Sequence, residues 1–294
     1  MVHIRKLVKA GQTSHTVSLP KEWLAKNNLG RGDAVYIHEK NSDELIINPS
    51  VTKEINSIKE ITLDFHKKEL ETLKRELTSA YVNNYNVINI VGKQVSKHNQ
   101  DIKGVLNSFV ALEISEQTEQ KLVIKDLLNL NEVDINKTIR RMDMIVRSMF
   151  KELNSTDALN FKDEDVNKIY FLIFRLLKSA LENTKNAEKL NVKPLQVLSY
   201  WYLVVNIENL ADCCTSLGSK VDNKTKKIVD LLEQQYSEVM NSFFSKDKNT
   251  ADRIARERKI VLEELSKVPG AVSENLKQIL TSINNIARIV LDEE

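Results

Sequence analysis

The first fifty residues alternate apolar and polar side chains in short runs. The apolar positions of three runs are Val2, Ile4 and Val8, then Val17 and Leu19, then Val35 and Ile37, and a fourth run is Leu45 to Ile47. A period of two predicts half-buried strands. Pro20 before the run, with Gly30 and Gly32 after it, predicts one turn of helix between the strands. So small a unit buries little apolar surface alone, and we expect a second copy of the chain to complete its core.

The next segment, residues 51–130, mixes two periods. The alternating runs are 61–65, 87–91, 111–114 and 121–124, and the helical runs are 67–82 and 101–111. The order strand, helix, strand, helix, strand, strand predicts a small α/β domain.

From Val133 onward the apolar positions recur every three to four residues. Six stripes run over 135–153, 166–180, 203–217, 228–243, 254–268 and 276–290. They predict six helices, and the short polar breaks between them predict antiparallel neighbours. A break near 219–222 predicts two groups of three helices, at 131–220 and 221–294.

Three features predict where these helices begin. Asp134 or Asn136 caps the first helix, and Pro194 opens the third because its missing N–H is harmless in a first turn. The acidic run Asp163, Glu164 and Asp165 suits the positive N-terminal dipole of the second helix.

Composition agrees with a helical, cytoplasmic protein. Seven Gly and four Pro in 294 residues disfavour a turn-rich β body. The two cysteines, Cys213 and Cys214, are adjacent, which argues against a disulfide framework and indicates a reducing compartment. No apolar run reaches the roughly 20 residues of a membrane helix, and no signal peptide is apparent. We therefore expect a cytoplasmic protein that does not span a membrane.

The net charge of +2 means that affinity for nucleic acid must come from a local patch. Residues 1–31 provide such a patch, with six Lys and Arg against one Glu, whereas residues 32–50 have one Lys against four Asp and Glu. The basic end also carries the polar loop from Gly11 to His15. This combination suits the phosphates and base edges of a duplex, and a solvated strand edge protected by lysines is the alternative.

Residues 2–50 resemble the AbrB/MazE/SpoVT family. The matching pattern is Lys6-x-x-Lys9-x-Gly11-x-x-Ser14-x-x-Val17-x-Leu19-Pro20-Lys21-Glu22-Trp23, then Leu29-x-x-Gly32-Asp33 and Leu45-x-Ile47-x-Pro49. Members of that family form swapped-hairpin dimers that bind DNA. The resemblance implies a homodimer on double-stranded DNA, and it maps the DNA contacts onto Arg5, Lys6, Lys9, Gln12, Thr13, Ser14 and His15.

One pair of carboxylates in the helical region suggests metal chemistry. Glu208 and Asp212 are four residues apart and share one face of the third predicted helix, nearly opposite its apolar stripe. Such a pair can chelate a hard or iron-class cation if the acidic run 163–165 supplies further oxygens. A hydrated acidic face is the alternative.

The helical region resembles the PhoU-type phosphate uptake regulators. The resemblance covers nearly the whole chain and thins after residue 220. The matching segments are 163–177 and 205–212, and segments 112–118 and 139–142 resemble archaeal members that carry an AbrB-like domain in front. The family fold is two three-helix bundles, and the family implies negative control of phosphate transport through a transporter or sensor kinase.

The same resemblance implies a divalent or iron-class metal ion on the first bundle, at Asp163, Glu208 and Asp212. The chain departs from the family's metal pattern at Asn167, where an aspartate is expected, and at Asn209, where an arginine is expected. In the last helix, residues 284–288 lack both carboxylates of the pattern. A metal in the second bundle is therefore not expected.

Together these observations predict a multidomain, mainly α protein. A swapped-hairpin β domain occupies 1–50, a small α/β domain 51–130, and two three-helix bundles 131–220 and 221–294. The expected function is a dimeric, DNA-binding transcriptional regulator of phosphate uptake and homeostasis, without enzymatic activity because no catalytic motif is present. The alternative is an adaptor that does not bind DNA and regulates a phosphate transporter ATPase or sensor kinase by contact. An antitoxin is disfavoured by the length of patterned sequence after residue 50.

Overall fold

A computed structural model describes residues 3–41, 44–50, 58–268 and 270–293. The chain divides into two compact units, Met1–Ile58 and Lys59–Glu294. Helices dominate and the sheets are small, so the expectation of a mainly helical protein is confirmed. The boundaries that the sequence suggested at residues 130 and 220 both fall inside the second unit.

The N-terminal unit contains two small antiparallel sheets and one helix. Its elements are β1 (Val8–Lys9), β2 (His15–Thr16), α1 (Lys21–Lys26), β3 (Tyr36–Asn41) and β4 (Glu44–Asn48). Strand β1 pairs with β2, and β3 pairs with β4. Helix α1 follows Pro20, as predicted. The alternating residues Ile4, Val17 and Leu19 lie outside the strands, and Val2 lies outside the described residues.

The second unit begins with the α/β arrangement that the sequence predicted. Its elements are β5 (Glu60–Asp64), α2 (Leu70–Val82), β6 (Val87–Val91), α3 (Asn99–Leu106), β7 (Leu112–Gln117) and β8 (Lys121–Asp126). The sheet order is β5-β6-β8-β7, in which only β5 and β6 are parallel. Leu73 and Leu77 of α2 and Ile102 of α3 pack in one core with Ile88 and Ile90 of β6.

Gly92 ends β6 where the chain passes the loop after β5. Its φ is 155°, and a Cβ placed there would lie 2.6 Å from the carbonyl oxygen of Phe65. That separation is far below van der Waals contact, so the close approach of these two loops requires glycine.

The rest of the second unit is helical. Its helices are α4 (Ile135–Lys151), α5 (Thr156–Glu182), α6 (Thr184–Lys189), α7 (Pro194–Leu217), α8 (Asn223–Ser245), α9 (Lys248–Leu265) and α10 (Gly270–Asp292). Helices α4, α5 and α7 pack against one another, and so do α8, α9 and α10. The contact between α7 and α10 joins the two sets, and one hydrophobic core runs through both.

Two predicted helix starts are confirmed and one is wrong. Asp134 caps α4 by accepting the Lys137 N–H at 3.0 Å, and Pro194 is the first residue of α7. Helix α5, however, begins at Thr156, so the acidic run that starts at Asp163 lies inside the helix and not at its N-terminal dipole. The apolar stripe extends back to the buried Leu159, which explains the earlier start.

A buried ion pair ties the α/β part to α5. The guanidinium of Arg175 donates to the Asp126 carboxylate at 2.6 and 3.2 Å, and to the Asn84 side-chain oxygen at 3.2 Å. The same guanidinium lies 4.3 Å from the ring centre of Tyr81. The side chains of Arg175 and Asp126 are only 3% and 8% exposed, so charge and packing hold these elements together.

Within the described chain, every helix is too short or too polar to cross a membrane.

Candidate functional site

The turn between β1 and β2 displays the loop that the sequence singled out. The Ala10 N–H donates to the Ser14 carbonyl at 2.9 Å, and the Ser14 hydroxyl donates to the Ala10 carbonyl. Gly11 has a φ of 97°, a conformation that favours glycine. The turn is therefore closed locally, and its tip projects side chains into solvent.

The three basic residues predicted to contact phosphates lie on or beside this hairpin. Arg5, Lys6 and Lys9 are all exposed, and none makes an ion pair with another described residue. The guanidinium of Arg5 donates only to the neighbouring Ile4 carbonyl, at 3.0 Å. Their charges are thus available to an anionic partner.

The loop residues predicted to influence site choice are also exposed. Gln12, Thr13 and His15 have no side-chain partner within the described chain, whereas the Ser14 hydroxyl is used in the turn. Three of the four side chains are consequently free to donate to, or accept from, groups on a ligand.

The apolar side chains of the N-terminal unit lack a core. Wherever side chains of residues 3–50 are described, none is buried, and Ile4, Leu7 and Ile37 are 89%, 72% and 59% exposed. Val8, Val17, Leu45 and Ile46 are exposed as well. Exposed apolar side chains in this number are typical of a unit that has an interaction surface.

The predicted metal-site residues lie together on the second unit. Asp163 on α5 lies next to Asp212 on α7 and accepts hydrogen bonds from Asn167 Nδ2 at 3.2 Å and Thr215 Oγ1 at 3.4 Å. Glu208 lies one turn before Asp212 on α7 and feels the charge of both aspartates. Asp165 lies instead in a groove between α4 and α5, and Asp163 is the residue of the acidic run whose charge acts on Glu208.

All three carboxyls of this acidic cluster (Asp163, Glu208 and Asp212) have raised pKa values. Burial, followed by the charges of Asp212 and Asp163, raises the pKa of Glu208 to about 7. Burial and the Asp212 charge also raise the pKa of Asp163, and burial raises that of Asp212. No cation of the chain offsets these charges in the described residues around the cluster.

The donor set is nevertheless not a preformed metal site. Within the described ranges, no group of three or more His, Cys, Asp and Glu side chains has the arrangement that holds a metal ion. Burial first and the nearby carboxylates second raise the pKa of Cys213 to about 11, so its thiol is protonated beside the cluster. Metal binding at Asp163, Glu208 and Asp212 stays a prediction.

Sequence reasoning missed the buried Arg175–Asp126 pair. The two residues are separated by 49 positions, and no spacing pattern connects them. The one available signal was a charged residue inside the apolar stripe of α5, between Ile173 and Leu176.

Comparison of the chain with protein-family models, with curated proteins and with solved structures gave no match.

Proposed function

We propose that the protein is a dimeric DNA-binding regulator whose helical body links it to the control of phosphate uptake. The observation that carries the proposal is the N-terminal unit, which combines an uncovered apolar surface with an exposed, unpaired basic edge. The resemblance to PhoU-type regulators supplies the link to phosphate, and the two adjacent cysteines support a cytoplasmic setting.

A second copy of the chain is the partner that best covers the apolar surface. The unit is too small to bury its own strands, and its sheets have two strands each. Isolated two-stranded sheets are marginal in water, whereas exchange of hairpins between copies would give each strand a neighbour and bury residues such as Ile4 and Ile37.

Such a dimer brings two basic edges together. Each copy contributes Arg5, Lys6 and Lys9, which suit phosphate oxygens on a duplex. The loop from Gln12 to His15 lies beside them and offers neutral donors and acceptors for bases. The basic residues therefore provide affinity, and the loop contributes to the choice of site.

The helical body supplies the regulatory part of the proposal. Helices α4, α5 and α7 form one packed set and α8, α9 and α10 another, which is compatible with the two three-helix bundles of PhoU-type regulators. We infer that this body binds an effector or a partner protein and that the N-terminal dimer binds an operator sequence.

Replacing Arg5, Lys6 and Lys9 with alanine tests DNA binding. We expect the triple variant to bind a 40-base-pair duplex of mixed sequence at least about tenfold more weakly, with a shallower salt dependence, because fewer counterions are released. Fluorescence anisotropy at several salt concentrations measures both quantities.

The matched control removes one Arg and two Lys that are also exposed, on α8 and α9. Lys226→Ala, Arg258→Ala and Lys259→Ala in one chain should leave affinity and salt slope unchanged. Equal behaviour of the two triple variants, or a wild-type protein that ignores DNA at low salt, contradicts the proposal.

An adaptor function is the second candidate, and one surface of the body favours it. The first turns of α7 expose Leu195, Leu198, Trp201 and Tyr202, with Leu195 74% exposed. An apolar and aromatic patch of this kind suits a protein partner such as a transporter ATPase or sensor kinase. Under this alternative the N-terminal unit only dimerises, so the Arg5, Lys6 and Lys9 variant retains partner binding and the wild type shows no affinity for DNA.

A further inference from the structure

A groove of about 420 Å³ lies between α4, α5 and the segments that follow α3 and β8. Its apolar lining, called the floor from here on, consists of Val110, Leu128, Val133, Ile169 and Leu172. The volume falls within the range of small-molecule sites, and an apolar floor with polar groups at the rim is their usual composition. The groove therefore has the size and surface to hold a ligand with a flat apolar part.

The cations at the rim come from two helices. Lys137 and Arg141 of α4 and Lys168 of α5 line the groove. Arg141 and Lys168 form no hydrogen bond or ion pair through their side chains within the described chain. A shallow depression on the outer face of α4 shares Lys137 and Arg141 and adds Arg140, so this side of α4 carries three cations within just over one turn.

Three carboxylates line the same groove, but two of them are already engaged. Glu132 accepts from Asn129 Nδ2 at 2.7 Å. Asp134 caps α4 and lies 3.7 Å from the Lys137 ammonium. Asp165 is the third, so the formal charges of the groove balance. Arg141 and Lys168 are the two cations of the groove whose side chains have no ion-pair partner within the described chain, and they are therefore available to an anionic ligand.

We propose that this groove binds a phosphorylated small molecule of nucleotide size. Its phosphoryl group lies between Arg141 and Lys168, because guanidinium and ammonium groups form charge-assisted hydrogen bonds with phosphate oxygens. Its apolar part rests on Leu128, Val133 and Ile169. Since the floor includes residues of the α/β part and of α5, the occupant contacts both parts of the second unit.

The test uses the full chain with Arg5, Lys6 and Lys9 replaced by alanine, so that the basic edge of the N-terminal unit contributes nothing. Isothermal titration with AMP, ATP, adenosine and inorganic phosphate gives the affinities. We expect AMP or ATP to bind, inorganic phosphate to bind at least about tenfold more weakly, and adenosine to show no measurable binding. In that background Arg141→Ala and Lys168→Ala should each weaken nucleotide binding about tenfold or more.

Arg258→Ala, which removes an exposed arginine on α9, is the matched control and should leave nucleotide affinity unchanged. Equal affinity in Arg141→Ala, Lys168→Ala and Arg258→Ala overturns the proposal, and so does the absence of binding by both nucleotides. Equal binding of AMP and inorganic phosphate contradicts the role of the apolar floor. None of these results depends on whether the N-terminal unit binds DNA, so the two proposals fail separately.

Discussion

At the scale of single residues, Glu208 has the pKa that departs furthest from its ordinary value among the carboxyls of the described residues. Its pKa is raised to about 7 from 4.5 by burial, then by the charges of Asp212 and Asp163. The folded state therefore holds this proton more tightly than the unfolded chain does. It follows that stability falls as the pH rises from about 4.5 to about 7 and is then constant for this group.

Glu208→Gln removes the charge and keeps the shape. We expect the variant to be more stable than the wild type by about 1 kcal/mol at pH 8, after allowance for the partial exposure of the group, and equally stable near pH 4.5. Urea denaturation at the two pH values measures the difference. Glu263→Gln, at an exposed position of α9, should change neither value, and a pH-independent effect of Glu208→Gln would contradict the assignment.

The buried charge of Arg175 is tolerated in the core because Asp126 carries the opposite charge. Its guanidinium satisfies Asp126 and Asn84 and covers the ring of Tyr81. Removing the guanidinium leaves the Asp126 carboxylate buried without compensation, which costs more than the net contribution of the pair.

Arg175→Met should therefore destabilise the second unit by about 3–5 kcal/mol. Adding Asp126→Asn in the same chain should recover part of that loss, because the uncompensated charge is removed with it. Arg258→Met, on the exposed face of α9, is the control and should change stability by less than about 0.5 kcal/mol. Urea denaturation followed by circular dichroism measures all three, and a double variant that is less stable than Arg175→Met would refute the electrostatic explanation.

At the scale of elements, the long helices were predictable from their repeating apolar positions, and the short elements were not. The stripes after Val133 correspond to α4, α5 and α7–α10, because each of those helices buries one face over four or more turns. Helix α6 was missed because five of its six residues are polar and none is buried. In the N-terminal unit the alternation extends beyond β1 and β2, since a single copy provides no neighbouring strand for the remaining residues.

The candidate sites were predictable to different degrees. The spacing of Glu208 and Asp212 placed them on one face of α7, but only the packing of α5 against α7 shows that Asp163 joins them. Basic residues near the N-terminus were visible in the sequence and are exposed in the structure. The groove at Arg141 and Lys168 gave no sequence signal, because its walls come from segments up to sixty positions apart that only tertiary packing brings together.

At the scale of the whole molecule, the two units differ in how far each buries its own apolar side chains. The second unit buries its own core among its helices and a four-stranded sheet, all within the described residues. The first unit exposes its apolar strands in a single copy. Oligomerisation through the first unit would therefore change its stability far more than that of the second.

Ile37→Glu tests this difference between the units. Ile37 lies on β3 opposite Ile47 and is 59% exposed in a single copy, so the substitution should hardly affect an isolated chain. In a dimer it places an unpaired charge in the shared core. We therefore expect the dissociation constant of the dimer to rise at least about a hundredfold and DNA binding to be lost. Sedimentation velocity over a concentration series measures the equilibrium. Ile260→Glu, on α9 and 66% exposed, should leave the dimer intact. A dimer as strong in Ile37→Glu as in the wild type would show that this surface is not the contact between copies.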